Sequence, residues 1–337
     1  MKVSVICPIF NEEKYIEKCV QSVIDSDFPK DDMELLLIDG GSVDRTKEII
    51  QNFSNKYNWI KFLNNPERIV PCALNIGIRQ AQGEYIIRID AHANYPVDYF
   101  SVLIRKIEEY NCENVGGVVI TLPVDPSAKS TAIALALSSS FGMGNSYFRI
   151  GAAEDRQVDT VPFGCFRREI FEKIGYFDEE LVRNQDDEFN GRIIKNGGKI
   201  YLVPTLAISY MARSTFSKVW SMFFQYGLFK PLVCKKLGRP ATLRQLVPPA
   251  FAGGLIAGAL LAPWHWILTC AYAGGVGLYV LLALFVSLSL AIQQKRLSVF
   301  PYLFSCFFVI HFGYGLGYWL GIFKILFKRS FNVKCNH

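Results

Sequence analysis

The chain has 337 residues, 51% of them hydrophobic and 14% aromatic, and a formal charge of +6. Residues 1–188 hold 20 Lys/Arg against all 30 Asp/Glu, a balance of −10, whereas residues 189–337 hold 16 Lys/Arg and no acid. A basic, aromatic, acid-free second part points to an anionic surface, and its long apolar runs decide for a membrane and against nucleic acid. The nine cysteines stand singly, without zinc-like spacing, which fits a reducing compartment. Met1–Val5 runs straight toward a strand with no apolar signal region, so the front of the protein is expected in the cytoplasm.

In chain order, Val3–Ile9 reads as a strand stopped by Pro8, and Asn11-Glu12-Glu13 opens a helix with Ile16, Cys19, Val20 and Val23 inward. Glu34–Ile38 is the next strand, after which Ser42 caps a helix with Asp44 in its first turn. Trp59–Leu63, a helix over Pro71–Gln80 and the strand Tyr85–Ile89 follow. Such alternation predicts a doubly wound α/β nucleotide-binding layer. A helix over Pro96–Tyr110, strands over Val115–Leu122 and Val158–Cys165, a helix over Arg168–Ile174, another to Lys195 and a last strand over Lys199–Val203 complete the pattern. Phe141–Ser146 reads as a Gly-rich loop, and Lys129–Ser139 is apolar but too short to span a bilayer.

Asp90 and His92 leave the carboxyl end of the Tyr85–Ile89 strand two residues apart. In open α/β sheets that edge binds ligands. An Asp oxygen and a His nitrogen at this spacing both reach one divalent cation of the kind that holds phosphate oxygens, although the pair alone also fits a strand-end turn. Arg88, inside the strand, is costly to bury unpaired and is expected to face the site or pair with an Asp.

The succession Pro8-x-x-Asn11-Glu12, Ile38-Asp39-Gly40-Gly41-Ser42-x-Asp44-x-Thr46, Asn75-x-Gly77, Gly83-Glu84-Tyr85 and Asp90-x-His92 resembles family 2 glycosyltransferases, as do the turn at Phe177-Asp178 and the acidic cluster at Asp186. The likeness covers residues 1–210. Within the family, Asn65-Pro66-x-Arg68, Asp90-Ala91-His92-Ala93-x-Tyr95, Gly144-Asn145-Ser146, Val158–Val161 and Arg183-Asn184 resemble the succinoglycan-type exopolysaccharide transferases.

That resemblance implies a GT-A nucleotide-diphospho-sugar transferase fold with a C-terminal helical membrane region, and an inverting transfer from a nucleotide sugar, expected to be a UDP-sugar, to a lipid-linked saccharide. It implies that Pro8, Phe10, Glu12, Asp39, Arg68 and Asp90 bind the donor, and that Asp90 and His92 hold Mn²⁺ or Mg²⁺. Imidazole in place of a second Asp favours Mn²⁺. Asp39 also fits a plain Asx turn. Asp186 falls on the position of the catalytic base, with Gln185 replacing the usual Glu; Gly164, Arg167 and Asp187 would line the acceptor side. For Asp186 the bland alternative is an acid at a helix start. Gln225-Tyr226-Gly227-Leu228-Phe229 departs from the Gln-x-x-Arg-Trp of processive relatives, so addition of a single sugar is expected. Rival readings are a polyprenyl-phosphate glycosyltransferase and a non-catalytic nucleotide-sensing scaffold of a polysaccharide export complex.

The expected division is a cytoplasmic catalytic domain over residues 1–210, a basic aromatic interfacial segment over 211–246 and a membrane region over 247–337 with two to three hydrophobic helices. Trp220, Phe223, Phe224, Tyr226 and Phe229 interleave with Lys218, Lys230, Lys235 and Lys236, which suits a headgroup layer, or else a core helix with a basic face. Apolar runs over Val247–Ala262, Ile267–Ile292 and Val299–Phe327 follow. Three full crossings put Lys328, Arg329 and Lys334 outside, against the positive-inside rule; otherwise one segment is re-entrant, with Gly313, Gly315 and Gly317 marking a break. The location implied is the inner membrane with the catalytic domain facing the cytoplasm, and other polysaccharide-assembly proteins are candidate partners.

Overall fold

The computed structural model describes residues 1–240 and 242–331. Lys334, counted above with the basic tail, lies outside the described residues. The elements open with β1 (Val3–Ile9), α1 (Ile16–Ile24), β2 (Met33–Asp39), α2 (Thr46–Lys56), β3 (Ile60–Asn64), α3 (Val70–Gln80) and β4 (Tyr85–Arg88). Next come α4 (Tyr99–Glu109), β5 (Asn114–Leu122), α5 (Ala128–Leu137), and the single turns α6 (Ser140–Met143) and α7 (Tyr147–Ile150). They are followed by β6 (Arg156–Gln157), β7 (Cys165–Arg167), α8 (Glu169–Ile174), α9 (Gln185–Lys195) and β8 (Ile200–Met211). Four long helices follow among the described residues: α10 (Phe216–Leu237), α11 (Val247–Leu261), α12 (Trp266–Gln293) and α13 (Phe300–Leu326).

Two compact units result, one made of residues 1–120 and 151–209, the other of 121–150 and 210–331. The first is built on a sheet in the order β3-β2-β1-β4-β7-β5-β8-β6. The pairs β3/β2, β2/β1 and β1/β4 are parallel, whereas β7 runs antiparallel to both β4 and β5. β1 and β2 are buried along nearly their whole length, as both-faces-covered parallel strands require. Their Val3, Val5, Leu35 and Leu37 pack with Ile16, Val20 and Val23 of α1 and Phe100 and Leu103 of α4.

Two strands depart from the sequence reading. Val158–Cys165, expected to be extended, is broken because Pro162 offers no N–H and Phe163 turns left-handed at φ 49°, so the ladder resumes only at Cys165. β8 instead runs on through Pro204 to Met211. β6 reaches only Tyr201 and Leu202, so a missing N–H at Pro204 breaks no bond to it.

In the second unit, Ser127 caps α5 by accepting from the Ser130 N–H at 3.2 Å. Among the described residues, three stretches are long and apolar enough to cross a membrane: Leu243–Trp264, Trp266–Gln293 and Leu297–Leu326. Trp264 and Trp266, between the first two, are exposed. α13 continues through Gly313, Gly315 and Gly317 without interruption, so these glycines do not break it. They are packing positions instead: a Cβ on Gly317 would lie 2.1 Å from the Phe224 carbonyl oxygen, and one on Gly227 would lie 2.0 Å from that of Tyr314. Small residues here let the α10 and α13 backbones touch. The half-buried His311 places Nε2 2.8 Å from the Phe141 carbonyl and Nδ1 3.1 Å from the Tyr279 hydroxyl. A carbonyl only accepts, so Nε2 carries the proton and Nδ1 accepts from Tyr279. Arg296 ties the α12–α13 turn to the start of α5 through Thr131 Oγ1 (3.2 Å) and the Pro126 carbonyl (2.8 Å).

Candidate active site

The turns after β1 and β2 lock onto each other. Asn11, left-handed at φ 53°, donates its N–H to Ser42 Oγ at 2.9 Å and accepts from the Val43 N–H at 2.9 Å. The Glu12 N–H reaches Thr46 Oγ1 at 2.7 Å, and Asp44 accepts from the Thr46 N–H at 3.0 Å. Asp39, only 1% exposed, accepts from the N–H groups of Gly41 (3.1 Å) and Ser42 (3.2 Å) and from the Ser42 hydroxyl (2.5 Å). Its carboxylate thus builds the turn. The guanidinium of Arg68 lies over Gly41, where a Cβ would meet its Nε at 3.4 Å, and the Phe10 ring lies equally close to Gly40. Phe10, Asp39 and Arg68 are therefore brought to one place, with Pro8 in register with Ile38 beside them.

At the end of β4 the Asp90 N–H donates to the Tyr95 hydroxyl at 2.8 Å, which fixes where its side chain starts. Asp90 Oδ2 lies 4.0 Å from His92 Nε2, while His92 Nδ1 lies 3.1 Å from Glu12 Oε1. An Nδ1–H donated to that carboxylate leaves the Nε2 lone pair turned toward Asp90. Adjacent ligands of one octahedral cation stand about 3.0 Å apart, so the pair closes on a cation once the two side chains approach by roughly 1 Å. Among the described residues no group of three or more His, Cys, Asp or Glu is arranged for a metal. Two protein ligands with the rest supplied by phosphate oxygens is the usual arrangement for a cation shared with a nucleotide.

Asp186 enters from α9. Asn184, left-handed at φ 62°, turns the chain into that helix, so Asp186 stands in its first turn with one-third of its side chain (33%) exposed. Arg88 Nη1 donates to Asp186 Oδ1, and Arg88 Nη2 lies 3.4 Å from Asp90 Oδ1. Burial pushes the Asp186 carboxyl up, Arg88 opposes this, and the neighbouring charges of Asp187 and Asp90 push it further up. A carboxylate so tuned suits proton abstraction. Arg88 itself stays charged: burial works against it, but Asp186 and Asp90 outweigh that and raise it.

On the expected acceptor side the residues part ways. The Gly164 carbonyl accepts from the Arg88 N–H at 3.0 Å, and a Cβ on Gly164 would strike Asn114 Oδ1 at 2.1 Å, so only glycine fits. Asp187 adjoins Asp186. Arg167 is not brought to this group: it pairs in register with Tyr85 at the opposite end of β4 and donates to the Cys112 carbonyl at 3.2 Å. Sequence reasoning missed Asn190, one turn past Asp186, whose Nδ2 donates to Thr160 Oγ1 at 2.8 Å and whose Oδ1 accepts from Asn114 Nδ2 at 2.8 Å. Its only sequence signal was an amide on the inward face of a helix. The Glu12–His92 bond, 80 residues apart, carried none.

Residues 4–175 match the model of glycosyl transferase family 2. The chain belongs to that family. This family 2 glycosyltransferase is 34% identical over 242 residues, 69% of the chain and 74% of the relative, to the dolichyl N-acetyl-alpha-D-glucosaminyl phosphate 3-beta-D-2,3-diacetamido-2,3-dideoxy-beta-D-glucuronosyltransferase of Methanococcus voltae. It is 31% identical over 265 residues, 78% of the chain and 79% of the relative, to the succinoglycan biosynthesis protein ExoA of Rhizobium meliloti (strain 1021). The mannosyltransferase PcManGT of Pyrobaculum calidifontis, solved in complex with GDP-Man and Mn²⁺, superposes with a TM-score of 0.56 at 19% identity over 90% of this chain and 85% of that one. The fold is therefore that of the GT-A transferases, followed, among the described residues, by three apolar helices long enough to cross a membrane.

Proposed function

We propose that this glycosyltransferase is an inverting enzyme that adds one sugar, from a UDP-sugar, to a lipid-linked saccharide during assembly of a bacterial exopolysaccharide or cell-surface glycan. In this reading residues 1–210 form the catalytic domain at the cytoplasmic face of the inner membrane, 211–246 lie in the headgroup layer and the following helices anchor the chain. The observation that carries the reading is the meeting of Asp186 with Arg88 and Asp90 at the end of β4. It puts a base candidate beside the donor-side carboxylate. The names of the two relatives support the acceptor class, one carrying a dolichyl-phosphate-linked sugar and the other succinoglycan biosynthesis.

The acceptor hydroxyl oxygen forms a bond to C1 of the donor sugar as the bond from C1 to the diphosphate oxygen breaks. The hydroxyl proton passes to the Asp186 carboxylate, and the electron pair of the broken bond leaves with the nucleoside diphosphate. A single displacement of this kind inverts C1. Asp90 and His92 would hold a divalent cation, Mn²⁺ or Mg²⁺, which when bound offsets charge on the departing diphosphate. Phe10, Asp39 and Arg68 shape and orient the nucleotide end.

The test uses membranes containing the full chain, a panel of radiolabelled nucleotide sugars, and lipid-diphosphate saccharides or free undecaprenyl phosphate as acceptors. Label is expected on the saccharide acceptor, with the anomeric configuration inverted relative to the donor. Label appearing only on free undecaprenyl phosphate, or a retained configuration, overturns the proposal.

A further inference from the structure

Resting on the reading of Asp186 as base and Asp90 as donor-side ligand, we propose that Arg88 is a positioning residue that sets both carboxylates at once, by claiming one oxygen of each. Nη1 takes Asp186 Oδ1, and Nη2 lies against Asp90 Oδ1 at 3.4 Å. That leaves Asp90 Oδ2 on the side of His92 Nε2, at 4.0 Å, and Asp186 Oδ2 for the incoming hydroxyl. The guanidinium is rigid and planar, so the two carboxylates cannot turn independently while it bridges them.

Arg88 is in turn held from several sides. It is 8% exposed, its N–H donates to the Gly164 carbonyl at 3.0 Å, and its Cζ lies 5.5 Å from the centre of the Phe163 ring. Its Nε is buried and has no hydrogen-bond partner. The guanidinium therefore serves the two carboxylates at the expense of satisfying its third nitrogen, the reverse of what a purely structural arginine achieves. A lysine supplies the charge but not the fork, and can reach only one carboxylate at a time.

The test compares Arg88→Lys, Asp186→Asn and the double variant in the full chain. Arg88→Lys is expected to lower kcat by about 10- to 100-fold through Asp186 and to weaken binding of Mn²⁺ with nucleoside diphosphate by about 10-fold through Asp90, with little change in melting temperature. Adding it to Asp186→Asn is expected to cause no further loss of kcat, because the two act as one unit there, while the weaker binding of Mn²⁺ with nucleoside diphosphate persists. A kcat near wild type in Arg88→Lys overturns the proposal. So does a loss of kcat that is additive with Asp186→Asn and accompanied by a large fall in melting temperature, which marks a structural role. If Arg88→Lys does not fold, Phe163→Leu decides, since it loosens the guanidinium without removing charge: a several-fold fall in kcat is expected, and an unchanged kcat overturns the proposal. An Asp186→Asn enzyme with normal transfer defeats the base reading itself, whereas an inert Asp186→Asn with a normal Arg88→Lys defeats only this inference.

Discussion

The guanidinium of Arg88, on strand β4, donates to the carboxylate of Asp186, 98 residues further along the chain. That bond converts two separate sequence motifs into one site. The acid at the start of α9 is thereby placed beside Asp90, and burial holds its carboxyl above the ordinary range against the opposing charge of Arg88.

The raised Asp186 carboxyl has a kinetic signature. A base works only when deprotonated, so kcat/KM should fall on the acid side at a pH above the usual carboxylate range. Asp187 contributes to the upward push. In Asp187→Asn the acid limb is expected to shift to lower pH, as read from the pH profile of kcat/KM; a limb that stays in place contradicts the assignment.

Glu12 fixes the tautomer of His92 through the 3.1 Å bond to Nδ1. Glu12→Gln should weaken binding of Mn²⁺ with nucleoside diphosphate by about 10- to 100-fold, since such orienting partners contribute on that scale. Titration calorimetry measures this directly, and equal affinity in the variant removes Glu12 from the account.

Glu34 is wholly buried between Ser4 Oγ (2.6 Å), Lys61 Nζ (2.7 Å) and the Gln82 N–H (2.6 Å). Burial works against its charge, but these hydrogen bonds prevail and hold the carboxyl below the ordinary range. A depressed carboxyl contributes stability that is present above its unfolded value, about pH 4.3, and is lost as pH falls through the folded value. Glu34→Gln should therefore cost about 1–3 kcal/mol at neutral pH and progressively less below pH ~4, by urea unfolding. A deficit that is constant with pH contradicts this.

Asn190 bonds Thr160 and Asn114 across a fully buried gap. Asn190→Leu leaves Asn114 Nδ2 without its acceptor and should destabilise by about 1–3 kcal/mol. Because α9 carries Asp186, kcat is expected to fall as well, while nucleotide KM stays unchanged.

Much of the first unit was legible because its signals are local. Val3–Ile9, Met33–Asp39 and Tyr85–Arg88 are short apolar runs with clear stops, and α1 presents its four inward residues at helical spacing. Pro162 and Pro204 show the limit of such reasoning. The first interrupts an expected strand and the second does not, and β6, the neighbour on one side of β8, ends before it reaches Pro204. The glycines of α13 were ambiguous for the same reason. Their role is set by what lies opposite, the α10 backbone at Gly317, the Trp220 ring at Gly313 and the α11 backbone at Gly315, to which the α13 sequence does not point.

Within the site, residue types were legible and pairings were not. Asp90, His92 and Asp186 stand out by motif, yet the choice of Arg88 as bridge and Glu12 as the partner of His92 depends on long-range packing. Arg167 illustrates the converse, a basic residue beside a suggestive glycine that packs against the Tyr85 ring at 5.7 Å and serves the far end of the sheet.

The most direct measurement is transfer by Asp186→Asn alongside nucleotide binding. Transfer is expected to fall at least about 100-fold, the scale of a lost general base, while the affinity for the nucleotide stays within a few-fold of wild type. Turnover near wild type in that variant contradicts it.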